Sequence, residues 1–382
     1  MRLLSRVFLS LAGLGVVCNL TSCGGNETRP LSPPVTLPGT PSPSLLSQNT
    51  QSQNTQFQNT QSPEPQPGTF QQQFQQKTIK TSVALPTFIP ATQAWPLVYV
   101  LKTRSVTYWQ RMERAALEWS QQLGVELTVV GSDHPQTAQF VEDQILLINQ
   151  QLEAGTLKGL LLGPADSLQL VPIVEKAVAQ GIPVIILDTP VNTDAPLCFV
   201  GFDNGAAGQA IGSWVVEQLR GKGRVLILEG AQHNDNALER SQGFLAGLRT
   251  GQEIMVLDRQ PADWDYGQAK KLTADWLNQY PQVDAIVAAN DDMALGAIAA
   301  LKEANRQNVL VTGFDGSEAG LKAIAAGDLG ATIDQVPEDQ IHLALQLMIT
   351  YLEKKQPLPP SVLIQNTQVI SRTTLTSSPP SP

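Results

Sequence analysis

Eight polar or aromatic side chains stand just after predicted strands, or near the start of the helices that follow them. They are Tyr108, Trp109, Asp188, Arg240, Trp264, Asn290, Asp315 and Gln335. Carboxylates accept hydrogen bonds from neighbouring hydroxyls, a guanidinium donates in a planar fork, and amides do both. Aromatic rings cover apolar C–H faces and exclude water. The set favours an uncharged ligand rich in hydroxyls, such as a sugar. A phosphorylated ligand is disfavoured because the chain has no Gly-rich phosphate loop.

Each of these residues also has a structural explanation when it is taken alone. Asn290 could cap a helix, Asp315 could stabilise a turn, and Trp264 could lie at the edge of the core. Their common position favours ligand binding instead. In parallel α/β sheets, ligands bind outside the carboxyl ends of the strands, where helices begin.

The elements that would position these residues alternate regularly. Apolar runs predict buried strands over 97–101, 126–130, 159–162, 183–187, 224–229, 253–258, 284–288, 308–313 and 329–333. Amphipathic stretches predict helices over 108–122, 137–152, 204–219, 236–249, 266–279, 291–304, 317–326 and 337–354. Strands that are apolar throughout and separated by helices indicate parallel sheets covered on both faces. Because the region 96–372 is too long for one hydrophobic core, the sequence predicts an α/β fold of two doubly wound parallel-sheet lobes.

Composition and missing motifs exclude several classes of protein. The net charge of −9 gives no electrostatic footprint for a nucleic acid. The chain has three histidines, no G-x-S-x-G elbow and no H-E-x-x-H helix, so we expect no enzyme, no metal site and no cofactor. Asp291 and Asp292 could suggest a metal site, but they stand at a predicted helix start, where the helix dipole explains acidic residues.

The first residues indicate export. Two arginines precede a mostly apolar run, 7–20, that is too short to span a bilayer permanently. Leu-Thr-Ser directly before Cys23 resembles a bacterial lipobox, so we expect a signal peptide over 1–22 and a lipid on Cys23. Cys18 fits less well because a bulky valine precedes it, and an ordinary signal peptide with an incidental cysteine is the alternative.

The segment 23–95 has the composition of a flexible tether. It is rich in Pro, Gln, Ser and Thr, and it carries a tandem polar pentapeptide over 47–61. A period of five matches neither a strand nor a helix, so we expect disorder, with a glycosylated or partner-binding stalk as the alternative. The tail 373–382 is also expected to be disordered. Cys198 lies in an apolar, strand-like run and is expected to be a buried residue without a disulfide partner.

Four motifs follow one another in the region 96–372, which we call the head. They are Gln260-Pro261-Ala262-Asp263, then 289–297, then Gly313-Phe314-Asp315-Gly316, and Ala331-Thr332-Ile333-Asp334-Gln335. In this order they resemble the ribose-type periplasmic sugar-binding proteins that feed ABC importers. The resemblance implies that Tyr108, Trp109 and Trp264 stack on a sugar. It also implies that the other five residues of the set form hydrogen bonds with that sugar.

Two positions depart from the ribose binders. Those proteins carry an arginine directly after the aspartate that corresponds to Asp188, where this chain has Thr189. They also carry an asparagine two residues before the first aromatic residue, where this chain has Val106. Ribose is therefore not the expected ligand, whereas another pentose, a hexose or a sugar alcohol fits. The polar loop 232–236, Gln-His-Asn-Asp-Asn, is expected to face the same cleft and is a further candidate contact.

The resemblance also implies how the chain is organised. It predicts three crossings between two lobes, one comprising 96–202 with 336–364 and the other 203–335 with 365–372, which close about a hinge around the ligand. It further predicts a monomeric head, lipid-anchored at Cys23 in the periplasm or at the surface of a bacterium. This head would deliver a sugar or polyol to the permease and ATPase subunits of an ABC importer.

Two other roles use the same kind of head. A receptor that presents bound sugar to a membrane kinase or chemoreceptor is the alternative to import. A sugar-responsive repressor is not expected, because a signal peptide and a tether stand where its DNA-binding domain would be.

Overall fold

Strands and helices alternate along the part of the chain that the structure describes. The computed structural model describes residues 78–82, 89–134, 139–232 and 234–375, all of them within one compact unit, Pro63–Pro382. The strands are β1 (Thr78–Ser82), β2 (Pro96–Thr103), β3 (Glu126–Ser132), β4 (Gly159–Leu162), β5 (Val184–Leu187), β6 (Cys198–Phe202), β7 (Lys222–Glu229), β8 (Glu253–Pro261), β9 (Ala285–Ala288), β10 (Leu310–Thr312), β11 (Ala331–Ile333), β12 (Ser361–Gln365) and β13 (Val369–Ser371). The helices are α1 (Thr107–Leu123), α2 (Phe140–Ala154), α3 (Val171–Ala179), α4 (Asn204–Gln218), α5 (Asp235–Leu248), α6 (Tyr266–Gln279), α7 (Asp291–Glu303), α8 (Glu318–Ala326), α9 (Pro337–Lys354) and α10 (Arg372–Leu375).

One sheet has seven strands in the order β1-β12-β6-β5-β4-β2-β3. Every neighbouring pair in it is parallel. All four residues of β4 and all four of β5 are buried, because helices cover both faces of a parallel sheet. Helices α1 and α9 pack against each other beside this sheet.

The other sheet has six strands in the order β13-β11-β10-β9-β7-β8. Its pairs are parallel except for the last, in which β13 runs antiparallel to β11. Three residues, 366–368, join β12 of the first sheet to β13 of the second.

The chain passes between the two sheets three times. It leaves β6 for α4 and β7, it returns from β11 through α9 to β12, and it crosses again between β12 and β13. The α/β fold of two lobes joined by three connections, with a cleft between them, is therefore confirmed. The antiparallel β13 is the one departure from parallel pairing in the described sheets.

A close approach of two helices in the second lobe determines where Arg240 lies. A Cβ atom at Gly208 of α4 would stand 2.7 Å from the carbonyl oxygen of Arg240 in α5. Because glycine has no side chain, α4 and α5 pack backbone against backbone. This contact fixes the first turns of α5 against α4, and the Arg240 side chain reaches the cleft.

The structure corrects the predicted disordered tether. Thr78–Ser82 is an edge strand that pairs in parallel with β12, with Thr78 opposite Ser361. Composition does not reveal such a strand, because neighbouring strands pair through backbone hydrogen bonds, which every residue type except proline can donate. Further along the chain, the backbone of Ile89 exchanges two hydrogen bonds of 3.1 Å with the Gln346 amide of α9. The prediction is therefore wrong for 78–82 and 89–95.

The remaining residues of 23–95, the signal peptide 1–22 and Cys23 lie outside the described residues. The predicted disordered tail is wrong for Thr373–Leu375, which belong to α10, and 376–382 lie outside the described residues. Cys198 is buried, as expected. Within the described ranges, no helix has both the length and the apolar character needed to cross a membrane.

Candidate functional site

A cavity of about 100 Å³ lies between the two lobes at the carboxyl ends of their strands. This is several times the space that one water molecule needs. All eight residues singled out in the sequence line it, and so does Val106. The lining also includes Lys102, Asn234 and Asn236, which were not among the eight. The structure thus brings the whole predicted set together, while its ligand-binding role stays a prediction.

Tyr108 and Trp109 form the aromatic wall on the first lobe. They occupy the first turn of α1, where their rings meet edge to face with centroids 5.2 Å apart. Trp109 lies where a Cβ atom of Gly163 would come within 2.6 Å of the indole, so only glycine leaves room for this ring. The Tyr108 hydroxyl donates to Asp188 Oδ1 at 3.1 Å and accepts from the Gln340 amide at 3.2 Å. Burial, followed by the nearby Asp188 carboxylate, raises the pKa of Tyr108 well above its usual range.

Asp188 follows β5 and adopts a left-handed backbone conformation, with φ of 64°. Its Oδ2 atom accepts a hydrogen bond of 2.8 Å from the Thr189 hydroxyl and one of 3.3 Å from the Asn236 amide of the second lobe. Together with Tyr108, these donors hold the carboxylate at the base of the cavity. Thr189, which stands where ribose binders carry an arginine, is itself fully buried.

Lys102 supplies a cation beside Thr189 that the sequence analysis missed. Its Nζ atom donates to Thr189 Oγ1 at 3.0 Å, lies 3.8 Å from Asp188 Oδ2, and sits 5.1 Å from the centroid of the Trp109 ring. Burial lowers the pKa of Lys102, and the Asp188 carboxylate opposes that shift. A lysine near the carboxyl end of an otherwise apolar strand is the sequence feature that would have identified it.

Arg240 is the centre of the second-lobe wall and is only 2% exposed. Its guanidinium donates to Asn204 Oδ1 at 2.7 Å, to the Ala289 carbonyl at 2.8 Å and to Gln335 Oε1 at 2.8 Å. It also lies 3.4 Å from Asp315 Oδ1 and 4.1 Å from the centroid of the Phe314 ring. These contacts hold the guanidinium plane in place before any ligand arrives.

Asp315 and Gln335 follow neighbouring strands of the second sheet and pair with each other. The Gln335 amide donates to Asp315 Oδ1, and Asp315 has a positive φ of 106°. Burial raises the pKa of Asp315 well above its usual range, although the Arg240 guanidinium opposes this.

Asn290 and Trp264 complete the second wall. Asn290 caps α7, since its Oδ1 accepts from the Met293 N–H at 2.8 Å, and its amide donates to the Trp264 carbonyl at 3.3 Å. The structural explanation considered for Asn290 thus holds, although the residue also lines the cavity. Trp264 has a positive φ of 64°, and its ring centroid lies 5.2 Å from the Arg240 guanidinium.

The polar loop 232–236 does face the cleft at Asn234 and Asn236, whereas His233 lies outside the described residues. Asn234 donates through Nδ2 to the Ala165 carbonyl of the first lobe at 2.8 Å. Asn236 is buried, and its Oδ1 atom has no hydrogen-bond partner in the part of the chain that the structure describes.

The polar groups of the cleft are held in fixed positions. They point into a cavity between two aromatic walls, and most of them are held by hydrogen bonds to one another. No group of three or more metal-binding side chains occurs in the described ranges. The fold and the cleft together define a two-lobed binding protein of the α/β class.

Comparisons with known proteins agree with this class. Residues 97–356 match the family model described as the periplasmic binding protein domain. The chain is 32% identical over 266 residues to the ribose import binding protein RbsB of Escherichia coli, covering 69% of this chain and 87% of that protein. This chain therefore belongs to the family of ribose-type periplasmic binding proteins, which bind solutes and are not enzymes.

Two solved structures share the fold. A periplasmic solute-binding protein of an ABC transporter from Actinobacillus succinogenes, with bound D-allose, has a TM-score of 0.69 and 29% identity, and the match covers 74% of this chain and 100% of that chain. The fructose-binding periplasmic domain of a hybrid two-component system has a TM-score of 0.67 and 28% identity, covering 74% of this chain and 92% of that domain.

Proposed function

We propose that this protein captures a monosaccharide or polyol in its cleft by closing two lobes about a hinge, and that it delivers the ligand to an ABC importer. The observation that carries the proposal is the convergence of Asp188, Arg240, Asn290, Asp315 and Gln335 with three aromatic rings in one cavity. Vicinal hydroxyls and apolar C–H faces are what such walls complement. The lobes that move are 96–202 with 336–364, and 203–335 with 365–372.

Relatives support import as the purpose of this capture. The Escherichia coli protein is named for ribose import, and the Actinobacillus protein is named for an ABC transporter. The partners proposed for this chain are the permease and ATPase subunits of such an importer, which would receive a monomeric, closed head.

Two residues of this chain differ from those that ribose binders carry at the corresponding positions. Thr189 and Val106 stand where ribose binders carry an arginine and an asparagine. Lys102 Nζ replaces part of the missing positive charge, since it lies against Thr189, and the free Oδ1 of Asn236 adds an acceptor. A hexose, a pentose other than ribose or a sugar alcohol fits this altered arrangement.

The location that we propose is the periplasm or the bacterial surface, with a lipid on Cys23 after removal of 1–22. The family is periplasmic, and the order of arginines, apolar run and Leu-Thr-Ser-Cys supports both export and lipidation.

Sensing is the second candidate function. The structure of a fructose-binding domain from a two-component system shares this fold at 28% identity. A receptor of that kind would present the same closed head to a membrane kinase rather than to a permease. A pull-down of membrane partners with the sugar-loaded protein distinguishes the two, because a kinase or chemoreceptor would be recovered in place of an importer.

A thermal-shift screen tests sugar binding directly. The chain 24–382 is heated with pentoses, hexoses and sugar alcohols in turn. A ligand at one hundred times its Kd should stabilise the folded state by about 2.7 kcal/mol, which appears as a shift of a few degrees in Tm. Absence of any shift from a folded protein would contradict the proposal that the cleft binds these compounds.

A further inference from the structure

Asn234 occupies a helix N-cap but does not cap the helix. It precedes α5, and its side chain accepts no hydrogen bond from the first turn. Asparagine at this position normally accepts one, as Asn290 does from the Met293 N–H before α7. Asn234 is nevertheless buried, with 3% of its surface exposed. Its amide is therefore directed to other partners.

Those partners lie on opposite sides of the cleft. Asn234 Oδ1 accepts from the Trp264 indole N–H at 2.9 Å, within the second lobe. Asn234 Nδ2 donates to the Ala165 carbonyl at 2.8 Å, in the loop after β4 of the first lobe. An indole only donates and a carbonyl only accepts, so the orientation of the amide is fixed by its two partners.

The bond to Ala165 lies away from the hinge. The interlobe connections leave the first sheet at β6 and β12, and β4 is two strands from β6. In the second sheet β7, which precedes Asn234, is three strands from β11. With a strand spacing of about 4.8 Å, these positions lie about 12 Å from the hinge strands, where a rotation of about 10° separates the two atoms by about 2 Å. A hydrogen bond does not survive that separation.

We propose that Asn234 is a positioning residue that couples the Trp264 ring to lobe closure. Its carbonyl holds the indole over the cavity, and its amide fastens the second lobe to the first. The proposal rests on the proposed function, because the cavity under Trp264 is the one assigned to the sugar. It follows that the ligand leaves only when the bond from Asn234 to Ala165 breaks, together with the longer bond from Asn236 to Asp188 that also joins the lobes. The bond from Asn234 to Ala165 therefore contributes to the dissociation rate.

Two substitutions separate the two halves of the coupling. Asn234→Asp keeps an acceptor for the Trp264 N–H but removes the donor to Ala165. Trp264→Phe keeps an aromatic ring but removes the N–H that Asn234 holds. Asn149→Ala is the matched control, since Asn149 also donates, to the Ile145 carbonyl at 2.9 Å, and accepts, from Lys176 Nζ at 2.6 Å, but within one lobe.

The first measurement is stopped-flow dissociation of D-allose, D-ribose, D-fructose and myo-inositol from the full chain. For each probe that binds, Asn234→Asp is expected to raise the dissociation rate about tenfold, equivalent to about 1.4 kcal/mol, with little change in the association rate. Trp264→Phe should raise it as well, and Asn149→Ala should leave it unchanged. Wild-type dissociation rates in Asn234→Asp would overturn the proposal.

The second measurement does not depend on a sugar. Spin labels at Leu146→Cys and Met255→Cys, two exposed positions on opposite lobes, report the interlobe distance. The chain without these two substitutions is labelled in parallel, so that signal from the native cysteines can be subtracted. Asn234→Asp should lengthen the mean distance with or without the probes. If the wild type binds none of the four probes, that result counts against the proposed function and not against the role of Asn234. An unchanged interlobe distance in Asn234→Asp would overturn the role of Asn234, whether or not a probe binds.

Discussion

Arg111 joins the two lobes beside the hinge, and its replacement should destabilise the folded protein. It lies on α1 of the first lobe, where its guanidinium donates to both Glu338 carboxylate oxygens at 2.9 Å. It also donates to the Asp334 carboxylate at 3.2 Å and to the carbonyls of Asp315 and Gly316 at 3.1 and 3.3 Å. These last three residues follow strands of the second sheet.

The loss in unfolding free energy expected for Arg111→Ala depends on how exposed each partner of Arg111 is. The Glu338 side chain is 41% exposed, so its ion pair contributes only about 0.5 kcal/mol. The Asp334 side chain is 27% exposed and contributes about 1 kcal/mol. The two carbonyls each lose a hydrogen bond of about 1 kcal/mol. Arg111→Ala should therefore lower the free energy of unfolding by about 3.5 kcal/mol, most of it from contacts between the lobes.

Urea unfolding of the full chain, followed by circular dichroism, measures this cost. Arg114→Ala is the control, because Arg114 lies on the same helix but is exposed, and its change should stay within about 0.5 kcal/mol. Arg111→Lys keeps the charge but not the planar fork, so an intermediate loss is expected. A loss below about 1 kcal/mol in Arg111→Ala would refute the assignment of Arg111 as a link between the lobes.

Three further predictions concern the site, the pH dependence and the anchor. Asp188→Ala and Asp315→Ala should each weaken sugar affinity by about 1.5–3 kcal/mol in isothermal calorimetry, because each removes a charged or buried hydrogen-bonding group. Burial raises the pKa of Asp291 to about 7, so the folded state keeps a proton that the unfolded chain has released. Stability should therefore fall as the pH rises from about 4 to 7 and then level off, and Asp291→Asn should flatten that slope. Cys23→Ser should move the protein from the membrane fraction to the soluble fraction.

Each of these has a control and a contradicting result. Asp194→Ala removes an exposed aspartate of the first lobe and should leave affinity unchanged. Wild-type affinity in both site variants would remove Asp188 and Asp315 from the site. A stability curve that rises between pH 4 and 7, with the same slope in Asp291→Asn, would show that the carboxyl is ionised in the fold. Cys18→Ser should remain in membranes, and retention of Cys23→Ser there would rule out the lipid site.

The sequence was sufficient for the fold class and for eight of the residues that line the cleft. The period of apolar residues indicates strands and helices locally, and their alternation leaves few arrangements other than parallel sheets. Because the carboxyl ends of parallel strands meet at one edge, a residue just after a strand is located without knowing which strands are neighbours. All eight residues chosen in this way line one cavity.

The same reasoning missed residues whose role depends on which other strand or loop packs beside them in the fold. Lys102 follows the predicted strand 97–101 and was not singled out, yet its position near the carboxyl end of β2 brings its ammonium to Thr189. Thr78–Ser82 was assigned to the tether because its composition shows nothing to bury, whereas its pairing is with the backbone of β12.

Only the tertiary structure decides which residues distant in sequence form hydrogen bonds with each other. Asn234 and Trp264 are 30 positions apart, Asn234 and Ala165 are 69 apart, and Arg111 and Asp334 are 223 apart. Local periodicity determines which way a side chain faces within its own element, but not the order of strands in a sheet or how two lobes meet. Those depend on packing across the whole chain. Eight residues that line the cleft therefore follow from the sequence, while Lys102 and the contacts that hold the lobes together do not.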